Sequence, residues 1–207
     1  MITPAYSLTA TERVLPSLAF DFTTGTVDPR ITCVRAGDST RTNSAGVIEL
    51  VAANTSRIDY DPVTRACKGL LIEPGRTNLF LNSLINGANL STQTLALNGQ
   101  FTLSFYGTGT ITISGGFTGT LTGTGAYPTR VYLNFVSVAS TTFTVTGTVQ
   151  YAQLEQSNAS SGAATFPSSF IPTAGASVTR ATDVVTVDNL SPWFNSVEGT
   201  LMAQASA

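Results

Sequence analysis

In successive short runs between Phe101 and Thr146, apolar and polar side chains alternate residue by residue, a period of two that fits β-strands and not helices. Phe101, Leu103 and Phe105 oppose Thr102, Ser104 and Tyr106. Ile111 and Ile113 oppose Thr110, Thr112 and Ser114. Val131, Leu133 and Phe135 oppose Arg130, Tyr132 and Asn134, and Phe143 and Val145 oppose Thr142, Thr144 and Thr146. A strand with one apolar and one polar face needs a second layer over its apolar side, so the pattern predicts two antiparallel sheets packed core to core, a β-sandwich of jelly-roll type. Sixteen of the sixty residues from Ser91 to Gln150 are Thr and nine are Gly, which supplies exposed strand positions and tight turns. The glycines are too irregularly spaced for a solenoid. For the same reason the Thr-x-Thr runs at 108–112 and 118–124 read as solvated strand faces, not as an ordered ice-binding array.

Charge divides the chain. Between Arg76 and Arg180 only Arg130 and Glu155 are charged, whereas the first 76 residues hold eight acidic and eight basic groups. The net charge of −2, with no basic stripe, offers a nucleic acid no phosphate neutralisation. Histidine is absent, which removes His-based triads and the usual zinc ligands, so no metal or cofactor is expected. No apolar run approaches the length of a membrane helix, and Met1-Ile2-Thr3-Pro4 lacks the pattern of a secretory signal, so synthesis in the cytoplasm without membrane insertion is expected. Cys33 and Cys67 read as small buried hydrophobes, with a bridge between them as the alternative.

Short apolar runs at 18–22, 31–34, 47–51, 58–60 and 70–72 are separated by turn residues such as Asp28-Pro29, Asp61-Pro62 and Glu73-Pro74-Gly75, and each is predicted as a strand. The expected organisation is an N-terminal β region over 1–82 that packs on the sandwich, the sandwich over 83–178, and a linker with the start of a further strand or domain over 179–207. Residues 158–164 read as a surface loop, Phe170-Ile171-Pro172-Thr173 as a final strand and turn, and 199–206 as a strand with an open edge that invites another chain.

Three stretches carry a resemblance. The first is Pro16-Ser17-Leu18-Ala19-Phe20-Asp21-Phe22, leading to Asp28-Pro29-Arg30-Ile31-Thr32. The second is Arg57-Ile58-Asp59-Tyr60-Asp61-Pro62-Val63, with Lys68-Gly69-Leu70-Leu71-Ile72-Glu73 and Arg76-Thr77-Asn78-Leu79. The third is Val149 to Glu155, with Phe170-Ile171-Pro172-Thr173 and Val178-Thr179-Arg180-Ala181-Thr182-Asp183. Together they resemble a family of tailed-bacteriophage virion proteins found as head spikes, head fibres or tail-fibre modules. The resemblance implies an N-terminal β segment followed by a carbohydrate-binding-module-like jelly roll, often leading into a lectin-like domain that would begin near Trp193 to Thr200.

The expected function is therefore that of a non-enzymatic structural component on the virion surface. It would assemble with other virion proteins and with copies of itself, a homotrimer being the expected state, and contact host glycans. The alternatives are a receptor-binding module for cell-surface polysaccharide and a polysaccharide depolymerase. Arg57, Asp59, Asp61, Glu73 and Arg76 are expected to form an ion-pair network that locks the N-terminal segment onto the sandwich, because carboxylates flanked by arginines stay ionised and serve badly as general acids. Tyr106, Arg130, Tyr132 and Asn134 fall on the polar phase of their strands and are the candidates for glycan binding or a subunit interface.

Overall fold

The computed structural model describes residues 18–157, 166–188, 190 and 197, and every regular element among them is a strand. Four strands form one antiparallel sheet in the order β10 (Gly119–Thr122), β9 (Thr110–Gly115), β12 (Ser140–Thr146), β7 (Gln93–Ala96). Five form the other, in the order β11 (Gly125–Ser137), β8 (Gly99–Gly107), β13 (Gln150–Ser157), β6 (Arg76–Asn78), β14 (Val178–Arg180). The core lies between them. Ile111, Ile113 and Phe143 from the first sheet join Phe101, Leu103, Phe105, Phe135 and Leu154 from the second, with Phe80, Leu90 and Leu97 from the connections. These are the apolar phases of the alternating runs. The Thr phases of β9 and β12 face outward, where Thr94 and Thr142 share a hydroxyl–hydroxyl bond of 2.8 Å across strands.

The expected solvated face of β8 is where the structure departs from simple alternation. Thr102 and Ser104 are as buried as Phe101 and Leu103. The outer face of the five-stranded sheet carries a third layer, made of the segment 166–173 and the hairpins β2 (Ser39–Thr42)–β3 (Ile48–Val51) and β4 (Ile58–Tyr60)–β5 (Cys67–Leu70). Alternation reports only that one face is more polar. It does not report that polar side chains such as Ser104 and Gln153 have found buried partners.

The N-terminal region contains these two hairpins and β1 (Ile31–Val34), which pairs with β15 (Val184–Val187). The divisions expected after residues 82 and 178 are bridged by pairing, since β6 and β14 complete the five-stranded sheet. Residues 18–22 are not a strand; Phe20 and Phe22 stack on each other at 6.3 Å and Arg30 lies over Phe20. Leu71 and Ile72 lie beyond the end of β5, and Ile72 is exposed.

Phe170-Ile171-Pro172 is extended without forming a ladder, because amide side chains take over its backbone bonds. Ile171 N–H donates to Gln153 Oε1 (2.7 Å), and Asn78 Nδ2 donates to the Ile171 carbonyl (2.8 Å). Both cysteines are free; Cys33 is buried in β1 and Cys67 is half-buried in β5. The predicted loop at 158–164, the strand at 199–206 and the boundary near Trp193 to Thr200 lie outside the described residues.

Candidate functional site

The third layer is fastened by four buried charges, Arg35, Arg57, Arg180 and Asp183, and a partly buried fifth, Glu73. Asp183 accepts Arg35 Nη1 on Oδ1 (2.9 Å) and Arg57 Nη2 on Oδ2 (2.5 Å), while Glu73 Oε2 receives Arg57 Nη1 (3.0 Å) and Arg180 Nη1 (2.9 Å). The guanidiniums spend further donors on backbone carbonyls, Arg35 on Ala52 (2.7 Å), Arg57 on Thr40 (2.7 Å) and Arg180 on Pro74 (2.7 Å). Glu73 also accepts Ser169 N–H (2.8 Å) and Ser169 Oγ–H (2.6 Å). All three arginines are at most 1% exposed, so these pairs tie together the N-terminal hairpins, the segment 166–173 and the residues around β14.

Of the network expected from the sequence, Arg57 and Glu73 belong to it. Asp59, Asp61 and Arg76 are in none of the described ion pairs. Asp61 instead caps the β4–β5 turn, accepting the N–H groups of Val63 (2.9 Å) and Thr64 (2.7 Å). Arg76 sits in β6 opposite Arg180, and Asp59 faces a cleft. Arg35, Arg180 and Asp183 complete the network. Arg180 and Asp183 stood in the resemblance motif, but their partners lie more than a hundred residues away in sequence and no local spacing announces the pairing.

Burial pushes the Glu73 carboxyl up, yet Arg180, Ser169 and Arg57 outweigh it and hold the group below its ordinary pKa. For Asp183 burial is likewise overcome, by Arg35, the Glu73 N–H and Arg57. Asp59 goes the other way: burial raises its pKa by more than the Thr42 N–H and Lys68 lower it. The stabilisation from Glu73 and Asp183 is thus fully present above the unfolded carboxylate range and lost as pH falls below about 4. Asp59 contributes with the opposite sign, since its folded form holds the proton more tightly. The urea midpoint is expected to drop steeply between about pH 5 and about pH 3. Asp59→Asn should raise it at neutral pH, with the gain shrinking on acidification. A midpoint flat through this range contradicts the assignment.

Beside the network, a cleft of about 430 Å³ opens between the hairpins and the outer face of the five-stranded sheet. Asp59, Lys68, Arg41 and Thr42 come from the hairpins, Tyr106, Tyr127 and Arg130 from the sheet, and Ser168 and Ser169 from the covering segment. Tyr106 and Tyr127 form an aromatic wall, with centroids 5.2 Å apart and planes inclined at 57°. Behind it stands Tyr151, placed by an irregularity in β13 between Gln150 and Gln153, where it adopts a left-handed backbone with φ of 47°. A tyrosine in that region is strained, and bulges of this kind re-aim side chains. Here the ring is aimed at Tyr106 (6.0 Å), Tyr127 (6.3 Å) and Phe170 (5.3 Å), which props the wall from behind.

Arg130 floors the cleft. It donates to the Ser168 carbonyl (2.6 Å) and Ser104 Oγ (2.8 Å), its guanidinium lies 5.6 Å from the Tyr106 ring centroid, and its buried Nε has no hydrogen-bond partner among the described residues. Burial raises the Tyr106 phenol, with Arg130 pulling against it. Tyr132 and Asn134 follow Arg130 on β11 and are exposed outside the cleft. Tyr132 meets the exposed ring of Phe166 at 5.8 Å, and Asn134 Oδ1 accepts from Thr102 Oγ1 (2.7 Å). The four sequence candidates thus share one face of one sheet but divide into a cleft pair, Tyr106 and Arg130, and an outer pair. Tyr127, Tyr151 and the placement of Asp59 were not foreseen.

Among the described residues no cluster of three His, Cys, Asp or Glu side chains is arranged to hold a metal ion, and no helix is long and apolar enough to cross a membrane. Comparison with family models, curated proteins and solved structures yields no match.

Proposed function

We propose that this chain is a non-enzymatic structural module on the surface of a tailed-phage virion, built as a jelly roll with an N-terminal β segment locked over one sheet. The jelly-roll assignment rests on nested pairing: β9 with β10, β8 with β11, β7 with β12 and β6 with β13, as in one long hairpin rolled across two sheets. The observation that carries the functional reading is the buried network of Arg35, Asp183, Arg57, Glu73 and Arg180. It spends three arginines and two carboxylates on rigidity, which serves a part that must bear load and assemble.

The same network argues against a depolymerase. Asp59 has the raised pKa of a general acid, but the other carboxylate of the cleft, Glu73, has its oxygens engaged by two arginines and Ser169 and is a poor base or nucleophile. A receptor-binding role for cell-surface polysaccharide is the second reading, favoured by the aromatic wall of the cleft. Immunogold labelling of purified particles with antibody to this chain is expected to decorate head or tail, and the purified chain is expected to release no reducing ends from capsular polysaccharide. Unlabelled particles would remove the virion reading, and polymer turnover lost in Asp59→Asn would replace it with the depolymerase.

A further inference from the structure

After the internal pairs are assigned, Asp59, Lys68 and Tyr127 keep capacity for a ligand, besides the buried Nε of Arg130 in the floor. Arg41 is held by Glu49 (Nη2–Oε1, 2.6 Å), and Glu73 is held by Arg57 and Arg180. Asp59 accepts the Thr42 N–H on Oδ1 (2.8 Å), and no described side chain donates to it. Lys68 is exposed and lies in none of the described ion pairs or hydrogen bonds, while its charge lowers the Asp59 pKa from nearby. The Tyr127 hydroxyl has only a long bond of 3.3 Å to Thr42 Oγ1. Thus a carboxylate acceptor, an ammonium donor and a phenol surround an aromatic wall at the mouth of one cavity.

We infer that this cleft is a binding site for one neutral hexopyranose ring, with its C–H face against Tyr127 and Tyr106, vicinal hydroxyls donating to Asp59, and Lys68 donating to a further hydroxyl or ring oxygen. Size, shape and charge each support the choice. The volume of about 430 Å³ falls near the lower end of the range for small-molecule sites and suits a monosaccharide unit rather than an extended chain. Two inclined phenol rings offer flat apolar surface beside polar groups, as a sugar with one C–H face and a rim of hydroxyls requires. Asp59 and Lys68 balance each other, and Arg130 is turned into the floor onto Ser168, Ser104 and the Tyr106 ring. Arg130 pairs with no described carboxylate, but its Nη1 and Nη2 donors are committed to the floor, so a sugar carboxylate at the mouth of the cleft would meet Asp59 first. The wall is preorganised by the propped Tyr151, which lowers the ordering cost of binding.

This inference rests on the polysaccharide-receptor reading. The test is saturation-transfer NMR on the full chain with the methyl glycopyranosides of glucose, galactose and mannose, and with glucuronic acid as the charged comparison. At least one neutral glycoside should bind with Kd of about 1 mM. Binding should weaken about tenfold in Tyr127→Ala, in line with loss of an aromatic contact, and about threefold in Lys68→Ala, an exposed site whose change spares the fold. Tyr132→Ala, outside the cleft, should leave it unchanged, and thermal melting verifies that each variant is folded. The inference is overturned if no neutral glycoside gives a signal, if glucuronic acid binds in preference, if folded Tyr127→Ala and Lys68→Ala bind like the parent, or if Tyr132→Ala abolishes binding. Such a failure leaves the immunogold result untouched, so loss of the sugar site and loss of the virion reading are separately visible.

Discussion

Replacing Asp183 with alanine is expected to cost about 3–5 kcal/mol, a large part of the roughly 5–15 kcal/mol that stabilises a typical domain. The carboxylate is the only acidic partner of Arg35 in the described network and one of two for Arg57, and both guanidiniums are at most 1% exposed. Removing it leaves Arg35 with no acidic partner in the described network and Arg57 with Glu73 alone. It also takes away the acceptor of the Glu73 N–H (2.9 Å), so the chain around Pro74 loses an anchor. Arg35→Ala should cost less, because Asp183 then keeps Arg57 and that N–H. Urea unfolding of the two variants gives the comparison. Native-state hydrogen exchange should show the loss first in the hairpins β2–β3 and β4–β5, with β8 and β13 still protected. A loss below about 1 kcal/mol, in the range of exposed pairs, would mean that the network is hydrated and does not hold the third layer.

How far the sequence reveals this architecture depends on how local each signal is. The strands β8, β9, β11 and β12 are legible because alternation is written into consecutive residues, and Phe101, Ile113 and Phe143 are all core as that phase requires. The 170–172 segment is not legible as a ladder-free strap, since Asn78 and Gln153, distant in sequence, take over its backbone bonds. The same limit explains the network. Arg57 and Glu73 sit in one compact motif, whereas Arg35, Arg180 and Asp183 meet them only through tertiary structure. For the cleft, Tyr106 and Arg130 are readable as polar-phase residues of their strands, whereas their standing opposite each other on β8 and β11 is set by the register of the sheet. Tyr151 is not legible because the irregularity in β13 shifts the phase of that strand, and a phase shift of one residue moves a side chain to the other face.

Phe143→Ala tests the other half of the molecule, at an expected cost of about 3–5 kcal/mol for truncating a buried aromatic. Its ring is fully buried in β12 between the two sheets, edge-on to Phe80 at 5.1 Å and 6.2 Å from Phe135. The cavity would be walled by side chains of both sheets, which strand pairing holds apart and which can relax inward only in part. On the outer face of the same strand Thr144→Ala should stay within about 0.5 kcal/mol, the usual range for surface changes, and the pair therefore measures sidedness as well as packing. Combined with Asp183→Ala, the core change distinguishes one folding unit from two. Asp183 and Phe143 share no described partner and lie on opposite faces of the five-stranded sheet, so in a single cooperative unit the costs should add to within about 0.5 kcal/mol. If instead the third layer detaches on its own, Asp183→Ala will split the unfolding curve, and Phe143→Ala will move only its later step. The first outcome describes a rigid block from hairpins to Thr-bearing face, as the proposed virion role requires. The second describes a sandwich with a releasable cover, in which the cleft, walled on one side by the hairpins, would open whenever the cover lifts.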